Sequence, residues 1–317
     1  MNQKKHQYSF PFVFEVVVNR DNLYYELELN RPEKGHYKVN YYGTCDNPDC
    51  LFMEKRFHGN FSCYFQKAGT YRIALHGSFP GFLFSDLVYS CFMQYLPNAC
   101  VRIPEDIKMT LDEYLDHYDG FYGLYLKDIL CWGTNVWQRV DGMFKSCRCL
   151  HISAADAPDL SQVKRMDRMF EECRFLNSDI EHWDVSNITS MFGTFSFAFH
   201  FNKPLNHWDV SNVQNMAQMF AFASSFNQPL NHWNVSNVKS MEHMFSNATA
   251  FNQPLNQWNV SYVEDMWGMF EGADSFKQNL DNWDASSIYP YSRENSYLNE
   301  NMKIVNGKVV VSPVSPS

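Results

Sequence analysis

Apolar and polar positions in the C-terminal half of the chain recur with a period of 25 residues. Trp183, Trp208, Trp233, Trp258 and Trp283 mark the period, within IEHWDVSNI, LNHWDVSNV, LNHWNVSNV, LNQWNVSYV and LDNWDASSI. A unit of 25 residues cannot bury a core alone, so each copy must bury its apolar face against the next. The pattern predicts a stacked solenoid over residues 128–288, with these five tryptophans as its structural core. Two degenerate coils lead into it, CWGTNVWQRVDGMFKSC and PDLSQVKRMDRMFEEC, as expected where an array must cap an exposed end. Trp283, at the far end, is expected to be the most frayed of the column.

Within one copy, Val213, Met216, Met219, Phe220 and Ala223 are spaced 3, 3, 1 and 3, the spacing of one helix face. Ser211 and Gln214 form a capping-box pattern ahead of that run, as do Ser261 and Glu264. Pro229 ends any helix. Leu230, Trp233, Val235 and Val238 then match the spacing of leucine-rich repeats except at the last place. Trp-x-Val reads as a short strand stacking in parallel at about 4.8 Å. The expected fold class is therefore α/β: a leucine-rich-repeat-like solenoid, one short parallel strand and one short helix per coil.

Ahead of it, VFEVVV, LYYELEL, HYKVNYY and TYRIALHG read as strands separated by turn clusters, a small β-sandwich-like domain over 10–80. Residues 1–9 are an N-terminal tail. Residues 81–127 form a mixed connecting region with a helix at 104–117, opened by Pro104 and acids. Residues 289–317 read as a C-terminal cap, with one strand at KIVNGKVVV, and a disordered Ser/Pro tail.

If Trp-x-Val is a strand, its tryptophan and valine point inward and the flanking residues outward. The outward positions form two columns, His182, His207, His232 and Gln257 beside Asp184, Asp209, Asn234 and Asn259. These eight residues are the candidate binding ladder. The competing reading is that Asp and Asn only hold the backbone turn. Side chains on a flat ladder run parallel and do not converge on a metal, so no metal site is expected there. The asparagines of FNQPLN (Asn202, Asn227, Asn252) are expected to bond backbone between coils.

Charge narrows the partner class. The chain carries a net charge of −9, and residues 181–285 hold ten acids against three bases, a balance of −7. That sign argues against nucleic acid. No apolar run is long enough for a membrane-spanning helix, and the N-terminal segment reads as a strand interrupted by Pro11 and Glu15, not as an export signal. The nine cysteines are read as buried thiols; Cys45 and Cys50, in TCDNPDC, are close enough to bridge or bind metal. The chain lacks the nucleophile-elbow, zincin, P-loop and dinucleotide motifs, so no catalytic residue and no cofactor is expected.

The consensus F-N-Q-P-L-N-x-W-[DN]-V-S-N-V-x-x-M-x-x-M-F-x-x-A resembles the repeats of BspA-like leucine-rich-repeat surface proteins of bacteria. The resemblance covers about residues 128–288. Many members carry a PKD-like domain with an Asp-Trp-Gly-Asp-Gly element before the repeats; Asn40-Tyr41-Tyr42-Gly43 stands in the corresponding place and lacks both aspartates. The resemblance implies a surface or adhesion protein. The expected function is a non-enzymatic, monomeric interaction module binding a host or bacterial protein through the solenoid's sheet face. The alternatives are a hydrolase using a His/Asp or Cys/His pair, and a structural spacer.

Overall fold

The computed structural model describes residues 10–18, 23–29, 39–52, 56–84, 124–288, 297–299 and 302–311. The tail 1–9, the helix expected at 104–117, most of the connecting region and the tail 312–317 lie outside these residues. The described residues fall into two compact units, one within Met1–Gln138 and Ile152–Asp159, the other within Arg139–His151 and Leu160–Ser317.

The first unit is built from β1 (Phe12–Val18), β2 (Leu23–Leu29), β3 (Asn40–Cys45), β4 (Cys50–Phe52), β5 (Phe61–Phe65), β6 (Gly69–Ser78), β7 (Phe82–Leu83), β8 (Leu124–Cys131) and, from the two-residue β9 (His151–Ile152), Ile152. They form a five-stranded sheet in the order β3-β6-β1-β8-β9 and a four-stranded sheet in the order β4-β5-β2-β7. In β1, Phe12, Phe14, Val16 and Val18 are all at most 1% exposed while the residues between them are half-buried. That alternation is the period-two signature of a strand with one core face. Glu15, on the other face, pairs with Lys127 at 2.7 Å. Phe65 of one sheet meets Tyr71 of the other at 4.6 Å between ring centroids, which places the core between the sheets. Beyond the strands, the Asp156 carboxylate accepts the backbone N–H groups of Trp132 and Gly133 at 3.0 and 2.8 Å, holding that turn.

The second unit corrects the expected fold class. No α-helix occurs among the described residues, and Trp-x-Val is not a strand. The α/β leucine-rich-repeat solenoid is therefore not what the 25-residue copies build. Each copy is a succession of turns. Its one β-type contact is a single-residue parallel bridge, running Arg165–Ser190–Asn215–Ser240–Asp265 through successive copies.

The segment read as a helix shows why. Its amides alternate between two destinations. Met216, Gln218, Phe220 and Phe222 donate to the carbonyls of Ser240, Glu242, Met244 and Ser246 in the next copy, at 2.7–2.9 Å. Met219, Ala221 and Ala223 donate three residues back within their own copy, at 3.0–3.2 Å. An α-helix would turn all of these amides onto its own carbonyls four residues back. The alternation is enforced by two left-handed residues per copy, Arg168 and Glu172, Gly193 and Phe197, Gln218 and Phe222, His243 and Asn247, Gly268 and Gly272, with φ of 52–65°. A left-handed residue breaks an α-helix wherever it falls.

Spacing leads to the same correction. Phe144, Phe170, Phe195, Phe220, Phe245 and Phe270 stack in one column with centroids 5.5–5.7 Å apart. Packed helices would hold their axes about 8–10 Å apart. A second column, Phe201, Phe226, Phe251 and Phe276, stacks at 5.9–6.0 Å. The five tryptophans are 0–4% exposed. Four of their indole N–H groups reach back into the preceding copy: Trp208 to Ile180 O, Trp233 to Leu205 O, Trp258 to Leu230 O and Trp283 to Leu255 O, at 2.9–3.1 Å. The asparagines form a ladder as expected, with Asn202, Asn227 and Asn252 each accepting, through Oδ1, the backbone N–H of the residue 25 positions on at 2.9–3.0 Å.

Trp283, at the far end of the column, is as buried as the other four tryptophans, at 0% exposed. The chain beyond it forms β10 (Tyr297–Asn299), β11 (Met302–Val305) and β12 (Lys308–Val311), an antiparallel sheet instead of a single strand. Asn306 and Gly307, with φ of 51° and 74°, supply the tight turn between β11 and β12. Backbone bonds run from Phe270 to Leu298 O and from Ala285 to Gly307 O, both at 2.9 Å.

Candidate binding surface

The eight ladder residues, His182, Asp184, His207, Asp209, His232, Asn234, Gln257 and Asn259, are all exposed, and each lies beside a buried tryptophan or valine. The alternation of inward and outward side chains is thus present without a strand. An Asx turn begins at the central residue of each Trp-x-Val. The Oδ1 atoms of Asp184, Asp209, Asn234, Asn259 and Asp284 each accept the N–H of the serine two residues on, at 3.0–3.2 Å. Asn234 and Asn259 also accept their serine hydroxyls at 2.7 Å. One oxygen of each outward Asp or Asn is therefore engaged in holding the backbone. Hydrogen bonds from Ser186 and from Ser286 hold the Asp184 and Asp284 carboxyls below the usual carboxylate range.

The histidine column differs. The His207 side chain is 82% exposed, and its Nδ1 lies 3.2 Å from Glu181 of the preceding copy. The carboxylate it meets is therefore Glu181 and not Asp209, the partner that a His/Asp catalytic reading would need. Spacing alone did not single out Glu181, although it stands where later copies carry Asn206, Asn231 and Asn256. Nor did it single out two aromatic residues of the last full copy. Tyr262 is 58% exposed, with the Lys239 ammonium 5.4 Å from its ring centroid. Trp267 is 41% exposed and meets His243 edge-on at 4.5 Å. Both replace smaller residues of the repeat: Tyr262 stands in the column of Asn187, Asn212 and Asn237, and Trp267 in that of Ala217 and Glu242.

Among the described residues no group of three or more His, Cys, Asp or Glu side chains is placed to hold a metal ion. No described helix is long and apolar enough to cross a membrane. In the first unit, Asn40-Tyr41-Tyr42-Gly43 lies in β3, in register with Ser78 to Leu75 of β6. Tyr41 is fully buried there and its hydroxyl donates to Gly59 O at 2.8 Å.

The family described as Mycoplasma protein of unknown function, DUF285, matches residues 138–246 and 207–304, together more than half of the chain. The chain belongs to this family. The match covers the repeats and runs on to residue 304; it does not extend to kinship with BspA-like leucine-rich-repeat proteins. No curated protein and no solved structure matches the chain.

Proposed function

We propose that the repeat array is a non-enzymatic module that binds another protein, on a host or a neighbouring cell, through side chains projecting from successive copies. The observation that carries the reading is the exposure of the histidine column and its polar companions on a backbone cross-linked from copy to copy. Side chains held at fixed intervals lose little freedom on association, which lowers the ordering cost of binding. The exposed Tyr262 and Trp267 support the same reading, because aromatic anchors are enriched where proteins bind each other. The acidic balance of the array favours a protein partner over nucleic acid. The resemblance of the repeats to BspA-like surface proteins is consistent with a partner outside the cell.

The test is a triple substitution, His182, His207 and His232 to serine. It leaves every Asx turn intact. With folding confirmed by thermal melting, a partner captured by the natural chain and then purified should bind the variant at least tenfold more weakly. Unchanged binding would overturn the histidine column as the recognition surface. A structural spacer is the second reading, favoured by the engagement of Asp184, Asp209, Asn234 and Asn259 in their own turns. Under that reading no partner is retained by the array, whichever outward residues are changed.

A further inference from the structure

Three cysteines of the first unit, separated by up to 18 positions in sequence, come together in space. Cys45 lies against Cys50 and Cys50 against Cys63, and the Cys45 thiol donates to Asp46 Oδ1 at 3.9 Å. Strand pairing accounts for the second contact. In β4 and β5, Cys50 lies opposite Phe65 and Phe52 lies opposite Cys63, so the two cysteines are diagonal neighbours on one face. A turn accounts for the first. Asn47 accepts the N–H of Asp49 on Oδ1 at 2.9 Å and the N–H of Cys50 on its carbonyl at 3.2 Å, folding Cys50 back against the end of β3. Cys45 belongs to the five-stranded sheet and Cys50 to the four-stranded one. All three are reduced here.

We propose that Cys45 and Cys50 are a disulfide-forming pair that closes in contact with a low-molecular-weight disulfide such as oxidised glutathione, joining the two sheets of the first unit. Accessibility selects Cys45 as the entry point: it is half-buried, whereas Cys50 is 6% and Cys63 0% exposed. The Cys45 thiolate attacks the small disulfide, forms a mixed disulfide and releases one small thiolate. The Cys50 thiolate then attacks the Cys45 sulfur and releases the second. The two protein thiols are oxidised by two electrons, the small disulfide is reduced to two thiols, and the two protein protons pass to them. Cys63 stays reduced, because a diagonal pair on adjacent strands stands about 7–8 Å apart, too far for a bridge without backbone movement. The neighbouring Cys50 and burial hold the Cys45 thiol far above the usual thiol range, so its thiolate is scarce and the first step is slow.

The experiment uses the full chain, exposed to oxidised glutathione at pH 8, quenched in acid, alkylated under denaturing conditions and digested with trypsin. The peptide of residues 39–55 contains both Cys45 and Cys50, and Cys63 lies in the separate peptide of residues 57–67. The expected result is a 39–55 peptide lighter by two hydrogens and unalkylated, with Cys63 alkylated. A Cys50→Ser variant should instead retain glutathione on Cys45, and Cys63→Ser should bridge like the natural chain. Alkylation of both Cys45 and Cys50 in the natural chain, or a cross-linked peptide containing Cys63, would overturn the proposal.

Discussion

The two units answer the same question, how to satisfy backbone amides around an apolar core, in different ways. In the first, strands pair over many residues. β1 runs in register with β6 from Phe12–Leu75 to Val18–Gly69, and its side chains alternate between core and surface. In the second, pairing between copies shrinks to one bridged residue, and further backbone bonds between copies come from every second amide of a turn segment. The difference teaches that a 25-residue copy needs no regular element to stack. It needs a backbone that sends half its donors to the next copy and residues that tolerate the left-handed turns this requires.

The largest effect expected from breaking that arrangement is in its aromatic column. Trp233→Ala should cost about 3–5 kcal/mol, the range for truncating a buried aromatic residue. Trp283→Ala should cost a similar amount, because Trp283 is as buried as its neighbours and keeps its indole bond to Leu255. Chemical denaturation of both variants checks this. A loss below about 1 kcal/mol at Trp283 alone, far under the truncation range, would mean the array is open at its C-terminal end.

The asparagine ladder should rank next. Asn227 accepts the N–H of Asn252 and the side-chain amide of Gln253, at 2.9 and 3.0 Å. Asn227→Ala leaves both donors without that acceptor and should cost about 1–3 kcal/mol. Asn227→Asp, which keeps the acceptor oxygen, should cost less. Equal losses in urea midpoints would show that the ladder contributes through packing alone.

Acid should act more weakly, through the turn that Asp184 holds. The Asp184 carboxyl is depressed in the folded chain by its hydrogen bonds from Ser186. A depressed carboxyl contributes stability above its unfolded value, and that contribution is lost as pH falls through the folded value, below about pH 4. Asp184→Asn, which reproduces the Asn234 and Asn259 turns, should leave the melting temperature at pH 7 nearly unchanged and reduce its fall between pH 5 and 3. A variant as acid-sensitive as the natural chain would place the acid response elsewhere.

Much of this was legible in the chain, and the failures within the array share one cause. The inward set of each copy, tryptophan, valine, methionine, phenylalanine and alanine, follows from apolar spacing and is buried throughout. The outward His and Asp/Asn columns follow from alternation and are exposed. Spacing says which side chains face the core but not which backbone carries them. Met216, Met219, Phe220 and Ala223 would face the core equally well on a helix or on a run of turns. The missing signal was Gly142, Gly193 and Gly268, which recur at one column of the repeat, with Gly272 at a second. Glycine at a fixed repeat position marks a backbone that needs positive φ. The Cys45–Cys50–Cys63 cluster was hidden for another reason: Cys63 is brought in by strand pairing, which local spacing does not encode.

The most direct test of the turn-built array is the stability of Gly193→Ala. Gly193 has φ of +59°, and a Cβ placed there would meet nothing closer than Arg168 Cγ at 3.5 Å, so the substitution probes backbone conformation and not a clash. In a helix the alanine would stabilise by about 0.8–1 kcal/mol. In a left-handed turn the strain of about 1–2 kcal/mol outweighs the smaller gain from restricting the unfolded chain. The expected result is a net loss on the order of 0.5–1 kcal/mol by denaturant titration. A gain of similar size would contradict the turn-built array and return the segment to a helix.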